Sequence, residues 1–164
     1  MPINRFPIQL RFGDEDSNGH VNNVRYVQFL EEARVRLSLL PLAGSGGSAD
    51  GGAEPETFRA VTKDTGSTLV GRQEIEYLTP LVYRPDPVWI EIWVSGLGRS
   101  SFSYGFRLTD EDGGTVYAVA EAAMVMVERE SGRPVPLSER QREILESWAG
   151  GDVPFRRATA GAAK

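Results

Sequence analysis

The chain contains no cysteine. That absence excludes disulfides, zinc–thiolate centres and a thiol nucleophile. It contains a single histidine, too few for a metal centre built on several imidazoles. Long apolar runs are missing as well. No window approaches the roughly 18 residues of a membrane span, and the opening Met1-Pro2-Ile3-Asn4-Arg5 has no apolar signal core. Positive charge is not in excess: 18 Lys and Arg against 23 Asp and Glu leave a net charge of -5 and a pI near 5.0. The electrostatic footprint of a nucleic-acid binder is therefore absent. There is no Walker loop, no dinucleotide glycine fingerprint, no H-E-x-x-H and no G-x-S-x-G. These exclusions leave a cytoplasmic protein, with no metal, no nucleic-acid partner and no membrane span, as the expectation.

What is present fits one globular domain: 164 residues, 40% hydrophobic and 25% charged. Over residues 6–12, Phe6, Ile8, Leu10 and Phe12 alternate with Pro7, Gln9 and Arg11, the period of a strand. The polar turn 14–19 ends it. Asn22 or Asn23 then caps a helix. Tyr26, Leu30, Ala33, Leu37 and Leu40 recur at spacings of 4, 3, 4 and 3. That pattern is one apolar stripe on a helix of about 18 residues, closed by Pro41.

Residues 43–56 are rich in Gly, Ser and Ala, the composition of a flexible insertion loop. Four strand-like segments follow, roughly 67–79, 88–97, 101–109 and 115–128. The second carries Val88, Ile90, Ile92 and Val94 on one side, and Trp89, Glu91 and Trp93 on the other. Asp112-Gly113-Gly114 marks a hairpin. Ser138 with Gln141 matches a capping box and predicts a short helix over 139–148. Residues 150–164 read as a disordered tail. The order predicts an α+β domain over residues 1–149, with one long helix packed on a curved five-stranded antiparallel sheet. Trp89 and Trp93, opposite the apolar row, predict that the second sheet face is covered too, by another subunit.

One segment is chemically dense. The thirteen residues from Asp14 to Tyr26 include Asp14, Asp16, Asn18, Asn22, Asn23 and the only histidine, His20. They lie where a strand gives way to a helix. A helix start offers free backbone N–H groups and the positive end of the dipole. A carboxylate beside such donors can serve as base or nucleophile while the donors polarise a carbonyl. Composition alone favours a blander reading, since Asp and Asn before a helix are usually turn formers and caps.

The run from Arg11 to Arg34 resembles the signature of hotdog-fold acyl-CoA thioesterases of the 4-hydroxybenzoyl-CoA thioesterase-like family. The resemblance rests on Asp14 and Asp16, on His20-Val21-Asn22-Asn23, on Tyr26, and on Phe29-Leu30-Glu31-Glu32-Ala33-Arg34. Ile75 to Pro80 and Gly98 to Phe102 are similar to later family positions. It implies a hotdog fold and an acyl-CoA thioesterase needing no cofactor. The catalytic carboxylate falls on Asp16 and the backbone oxyanion donor on Asn23, with His20 and Asn18 positioning. The spacing Asp16, Asn18, His20 also resembles the Asp-x-Asn-x-His of plant acyl-ACP thioesterases, but that family's later glutamate falls near Pro80, which has no carboxylate.

The expected substrate is an acyl-CoA, with an acyl-carrier-protein thioester as the variant. CoA phosphates call for cations at the rim, and Arg99 with Ser100 and Ser101 is the first candidate, ahead of Arg72 and Arg84. Tyr26, Val27 and Leu30 are expected to line the acyl site. The family resemblance implies two domains paired edge to edge, hence a homodimer, with a homotetramer favoured. Two other readings stand beside this one. One is a non-catalytic acyl-CoA or acyl-carrier binding module. The other is a hotdog dehydratase pairing a histidine with Glu31 or Glu32.

Deleting residues 44–52 is expected to leave the melting temperature within about 5 °C of the parent, because closure entropy varies slowly with loop length. A larger drop in a thermal melt marks the segment as packed.

Overall fold

The computed structural model describes residues 3–44 and 54–156. Most of the loop expected at 43–56, and the tail beyond 156, lie outside those residues. Along the chain run β1 (Asn4–Ile8), a single 3-10 turn (Phe12–Asp14), α1 (Asn23–Ser38), α2 (Phe58–Thr65), β2 (Ser67–Tyr77), β3 (Val88–Leu97), β4 (Ser101–Thr109), β5 (Val116–Val127) and α3 (Glu139–Ser147). The five strands form one antiparallel sheet in the order β1-β3-β4-β5-β2. This is the α+β architecture that the pattern predicts.

Helix α1 is held by its stripe. Tyr26, Phe29, Leu30, Ala33 and Leu37 are its buried residues. Each fully buried large side chain contributes about 1.5–3 kcal/mol, against tenths of a kcal/mol per residue from helix propensity. Packing therefore decides where α1 lies. The helix ends at Ser38 with Leu39 as its C-cap, three residues before Pro41. The sheet supplies the opposing surface: Val88, Ile90, Ile92, Phe106, Leu108 and Met126 are at most 2% exposed.

Strand β1 is shorter than the alternation suggests. Leu10 still turns into the core at 3% exposure, but Phe12 is 77% exposed and packs edge-on against Tyr83, with ring centroids 5.8 Å apart. Helix α2 is an element the Gly/Ser-rich composition around it concealed. Thr57 caps it by accepting the Ala60 N–H at 3.1 Å, and Phe58 and Thr62 are buried. The α3 capping box is present, Ser138 and Gln141 each accepting the other's backbone N–H. The Gln141 side chain, fully buried, then donates to Thr65 Oγ1 at 3.0 Å and ties α3 to α2.

The two sheet edges differ. β1 has five residues, one of them Pro7, and Arg36 of α1 donates to the Pro7 carbonyl at 2.7 Å. Beyond the reach of β1, Val94 of β3 is completed by the C-terminal segment. The Val94 N–H donates to Trp148 O at 2.8 Å, and Gly150 N–H donates to Val94 O at 2.9 Å. β2, at the other edge, runs for eleven residues without a proline and exposes Leu69 at 54% and Val70 at 42%.

That C-terminal segment corrects one expectation. Residues 150–156 are not a frayed tail: Val153 is 5% exposed, and Gly151 O accepts the Trp93 indole N–H at 2.7 Å. Trp93 is half-buried and is partly covered at this point by its own chain. A Cβ on Gly105 or on Gly150 would come within 2.5 Å of the Trp93 ring, so the indole is seated between two glycines. The other tryptophan of this face, Trp89, lies 4.9 Å beneath the Arg5 guanidinium. Buried Glu91 sits between Arg5 at 3.6 Å and Arg107 at 2.6 Å, so charge pairs occupy much of the face.

Gly105→Val is expected to evict the indole, with an overpacking cost of about 1–3 kcal/mol, or about 2–4 °C of Tm per kcal/mol at this size. A thermal melt and a red-shifted tryptophan emission should report it together; an unchanged emission maximum would contradict the seating of Trp93.

Candidate active site

The segment between β1 and α1 is built from the backbone outward. Asp14 is buried, 6% exposed. Its Oδ2 accepts the Arg11 N–H at 2.8 Å, and its Oδ1 lies 3.6 Å from Arg25 Nε. Its carbonyl accepts the Asn22 N–H at 2.8 Å. Asp14 is thus a structural carboxylate that closes the loop. The next turn is tighter. Asp16 N–H donates to His20 O at 3.0 Å, and Gly19 N–H donates to Asp16 O at 3.1 Å. Gly19 has φ +74°, a left-handed conformation that glycine adopts without strain.

Asp16 itself is half-buried. One oxygen, Oδ1, accepts the Asn18 N–H at 2.8 Å. Its other oxygen has no hydrogen-bond donor among the described residues. The backbone of Asn18 thus orients Asp16, while the side chains of Asn18 and His20 are exposed.

At the start of α1 the amides are unequally committed. The Val24 N–H donates to Asn22 Oδ1 at 3.1 Å, and the Arg25 N–H to Asn22 O at 2.9 Å. Asn23, the first helical residue, has an N–H that helix geometry leaves without an intrahelical acceptor. Its carbonyl accepts the Tyr77 hydroxyl at 3.2 Å.

A cleft of about 360 Å³ opens here, lined by His20, Asn23, Tyr26, Tyr77, Pro80 and Leu81 among others. The last three come from β2 and the segment after it. That segment is locked to the loop: Val21 N–H donates to Leu81 O at 2.7 Å, and Tyr83 N–H donates to Glu15 Oε1 at 2.6 Å. Tyr26 and Tyr77 meet edge to face at 5.0 Å. Burial above all, with Tyr77 nearby, pushes the Tyr26 hydroxyl up to about 12. It is a neutral hydroxyl at physiological pH.

The structure gathers some of the expected residues and disperses others. His20, Asn23 and Tyr26 share the cleft; Asp16 is not in its lining, but its backbone N–H donates to the carbonyl of His20, which is. Leu30 is in the core at 4% exposure, and Val27 is half-buried; neither lines the cleft. Arg99, Ser100 and Ser101 lie at the opposite end of the sheet. Tyr77 pairs with Ala118 at the cleft end, whereas Ser101 pairs with Val125 and Ser67 with Val127 at the far end. A β2 of eleven residues separates the two ends by roughly 30 Å. Arg72 is engaged by Glu74 at 2.6 Å, and Arg84 lies over the Tyr117 ring at 5.4 Å.

Tyr77 lines the cleft, and pattern reading missed it. Its signal was the similarity of Ile75 to Pro80 to family positions. Among the described residues no three His, Asp or Glu groups come together that could hold a metal ion, and no helix is long and apolar enough to cross a membrane.

Solved structures share this architecture. A thioesterase from Thermus thermophilus, solved with coenzyme A and zinc, is 30% identical with a TM-score of 0.65, over 88% of this chain and 92% of that one. The YbaW probable thioesterase from Escherichia coli is 26% identical with a TM-score of 0.71, over 89% and 98%. The uncharacterised protein YsmA from Bacillus subtilis (strain 168) is 25% identical over 138 residues, covering 84% of this chain and 82% of its own. The sequence pattern of the Thioesterase-like superfamily matches residues 10–145. With the hotdog architecture and this match spanning most of its length, the chain belongs to the Thioesterase-like superfamily.

Proposed function

We propose that the chain hydrolyses an acyl-CoA thioester to a free acid and a thiol at the cleft beside Asp16. One observation carries this reading. Asp16, half-buried with one uncommitted carboxylate oxygen, is bonded through its backbone to His20, and His20 lines a cleft together with Asn23, whose N–H is not taken by the Asn22 cap. In this scheme Asp16 acts as base on a water, or as nucleophile, toward the thioester carbonyl. The Asn23 N–H receives the developing oxyanion, a donor role whose loss typically costs about 3–4 kcal/mol. His20 and Asn18 position the reacting groups. The sulfur leaves with the CoA half, and the proton taken from water returns to it. An acyl-carrier-protein thioester would present the same carbonyl. That the Thermus relative was solved with coenzyme A supports the CoA form.

The dehydratase reading has less support. Glu32 is engaged by Arg36 at 2.8 Å. Glu31 sits eight residues beyond Asn23 on α1, about 12 Å along the helix. Neither faces His20 within the protomer. The non-catalytic binding module is the remaining alternative, and free thiol release decides against it or for it.

We also infer that two chains pair along β2, giving a homodimer at least. An eleven-residue edge without a proline is a template for another strand. Leu69, Val70 and Tyr77 on β2, with Val24 and Val35 on α1, are 40–57% exposed. A two-fold antiparallel join sets the Tyr77 end of one β2 beside the Ser67 end of the other, so each cleft would be completed by the partner.

Asp16→Asn is expected to lower thiol release from a panel of acyl-CoAs by more than about tenfold, that is by more than about 1.4 kcal/mol of barrier, with the melt unchanged. A variant that retains a larger share shows that Asp16 is not the central group. Asp14→Asn should act on the fold instead, since it weakens a charged hydrogen bond worth about 1.5–3 kcal/mol; equal turnover loss at both positions, with both melts intact, would relocate the site within the loop. Dilution followed by light scattering should show activity falling in step with dissociation; an 18.0 kDa particle with full activity would refute the pairing.

A further inference from the structure

A second recess, about 670 Å³, lies between α1, α2 and the Ser67 end of the sheet. Among the described residues that line it, the cations are Arg34, Arg59, Lys63 and Arg129, and Glu31 is the one carboxylate. In a chain with a net charge of -5, that is a local reversal of sign, and such a recess concentrates anions. Arg34 is the telling residue. It is half-buried over a floor that includes Phe102, Tyr104 and Met124. Its guanidinium offers five N–H donors. The one hydrogen-bond acceptor it has among the described residues is the Met124 thioether at 3.4 Å, and sulfur of that kind is a weak acceptor.

Other half-buried arginines do better. Arg25 has Asp14 at 3.6 Å, Arg36 has Glu32 at 2.8 Å and Arg107 has Glu91 at 2.6 Å. None of the four recess cations is within 4.0 Å of a carboxylate among the described residues. Burial also pulls the Arg34 pKa below the ordinary arginine value, against the opposing influence of Glu31 and Tyr104. A guanidinium kept in partly apolar surroundings without an oxygen acceptor is matched by a planar anion, which it grips with two parallel bonds.

We propose that this recess binds an anionic group of the substrate, a carboxylate or a phosphate, with Arg34 as its anchor and Arg59, Lys63 and Arg129 at its rim. The proposal deepens the thioesterase reading and rests on it for the identity of the ligand. Within one protomer the recess is far from the cleft, since Arg34 is eleven residues along α1 from Asn23, about 16 Å. Across the β2-to-β2 join inferred above, the Ser67 end of one β2 would lie beside the Tyr77 end of the other, which would bring the recess next to the partner's cleft and the substrate held there.

The test compares the parent with Arg34→Met, which keeps an apolar stem over the sheet and removes the charge. Four thioesters separate the two sources of the anion: hexanoyl-CoA, adipoyl-CoA, and the same two acyl groups on N-acetylcysteamine, which has no phosphate. Losing a charged hydrogen bond should raise KM about tenfold or more, with the effect in KM and not kcat. If phosphate is the anion, both CoA thioesters lose relative to both N-acetylcysteamine thioesters. If it is the distal carboxylate, both adipoyl thioesters lose relative to both hexanoyl thioesters. Either ordering supports the site. KM values within about twofold of the parent for all four, in a protein with an unaltered melt, overturn it. Should Arg34→Met fail to fold, Arg59→Ala combined with Lys63→Ala carries the same comparison, and the same two orderings and the same null result decide it. If the parent hydrolyses none of the four, the thioesterase reading fails, and calorimetry then tests the recess alone. Binding of free CoA or adipate that weakens about tenfold in the variant upholds it, and no binding to the parent refutes it.

Discussion

The arrangement depends on the fit of one helix face to one sheet face. Tyr26, Phe29, Leu30, Ala33 and Leu37 make a single apolar stripe on α1, and the sheet has one largely apolar side to receive it. Once that stripe is seated, the position of the helix start is no longer free. It must emerge beside Tyr77 at the end of β2 and beside the segment that carries Leu81, and the hydrogen bonds from Tyr77 to Asn23 and from Val21 to Leu81 record the meeting. The proposed site lies at the helix start because the stripe places that start there. Hydrogen bonding then refines the result: Asn22 takes two of the first amides and leaves that of Asn23.

Two aspartates two residues apart have been given different tasks by their surroundings. Asp14 is buried and spent on Arg11 and Arg25. Asp16 is held by a short turn that satisfies one oxygen and leaves the other. The distinction is one of hydrogen-bond occupancy, and residue type gives no hint of it.

Much of this was legible in the sequence, and the parts that were not share a cause. The β3, β4 and α3 boundaries follow from strict alternation and from the Ser138–Gln141 box, which are local signals. Asp16, His20, Asn23 and Tyr26 could be singled out because they are nearly contiguous. Tyr77, Pro80 and Leu81 could not be placed beside them from pattern, since the sheet brings them together across more than fifty residues of chain. Arg99 stood out as a basic turn residue, yet register puts it at the other end of the sheet. Helix α2 is short and polar and follows a Gly/Ser-rich stretch, so the sequence pattern does not announce it. The packing of residues 150–156 depends on Trp93 and Gly105, partners that local composition does not name.

The asymmetry of the sheet edges has a consequence for how this molecule can assemble. One edge is stopped: β1 is short, contains Pro7, and has a carbonyl taken by Arg36, while the chain's own C-terminal segment occupies β3 beyond it. The other edge, β2, is eleven residues long and pairs with no strand beyond β5 among the described residues. A sheet with two open edges can polymerise, each copy templating the next into a fibre. A sheet with one stopped edge has a valence of one. It can be extended once, by a copy presenting the same edge, and the joined object then ends on stopped strands at both sides. If two copies join along β2, the proline and arginine at β1 limit any further extension of the joined sheet.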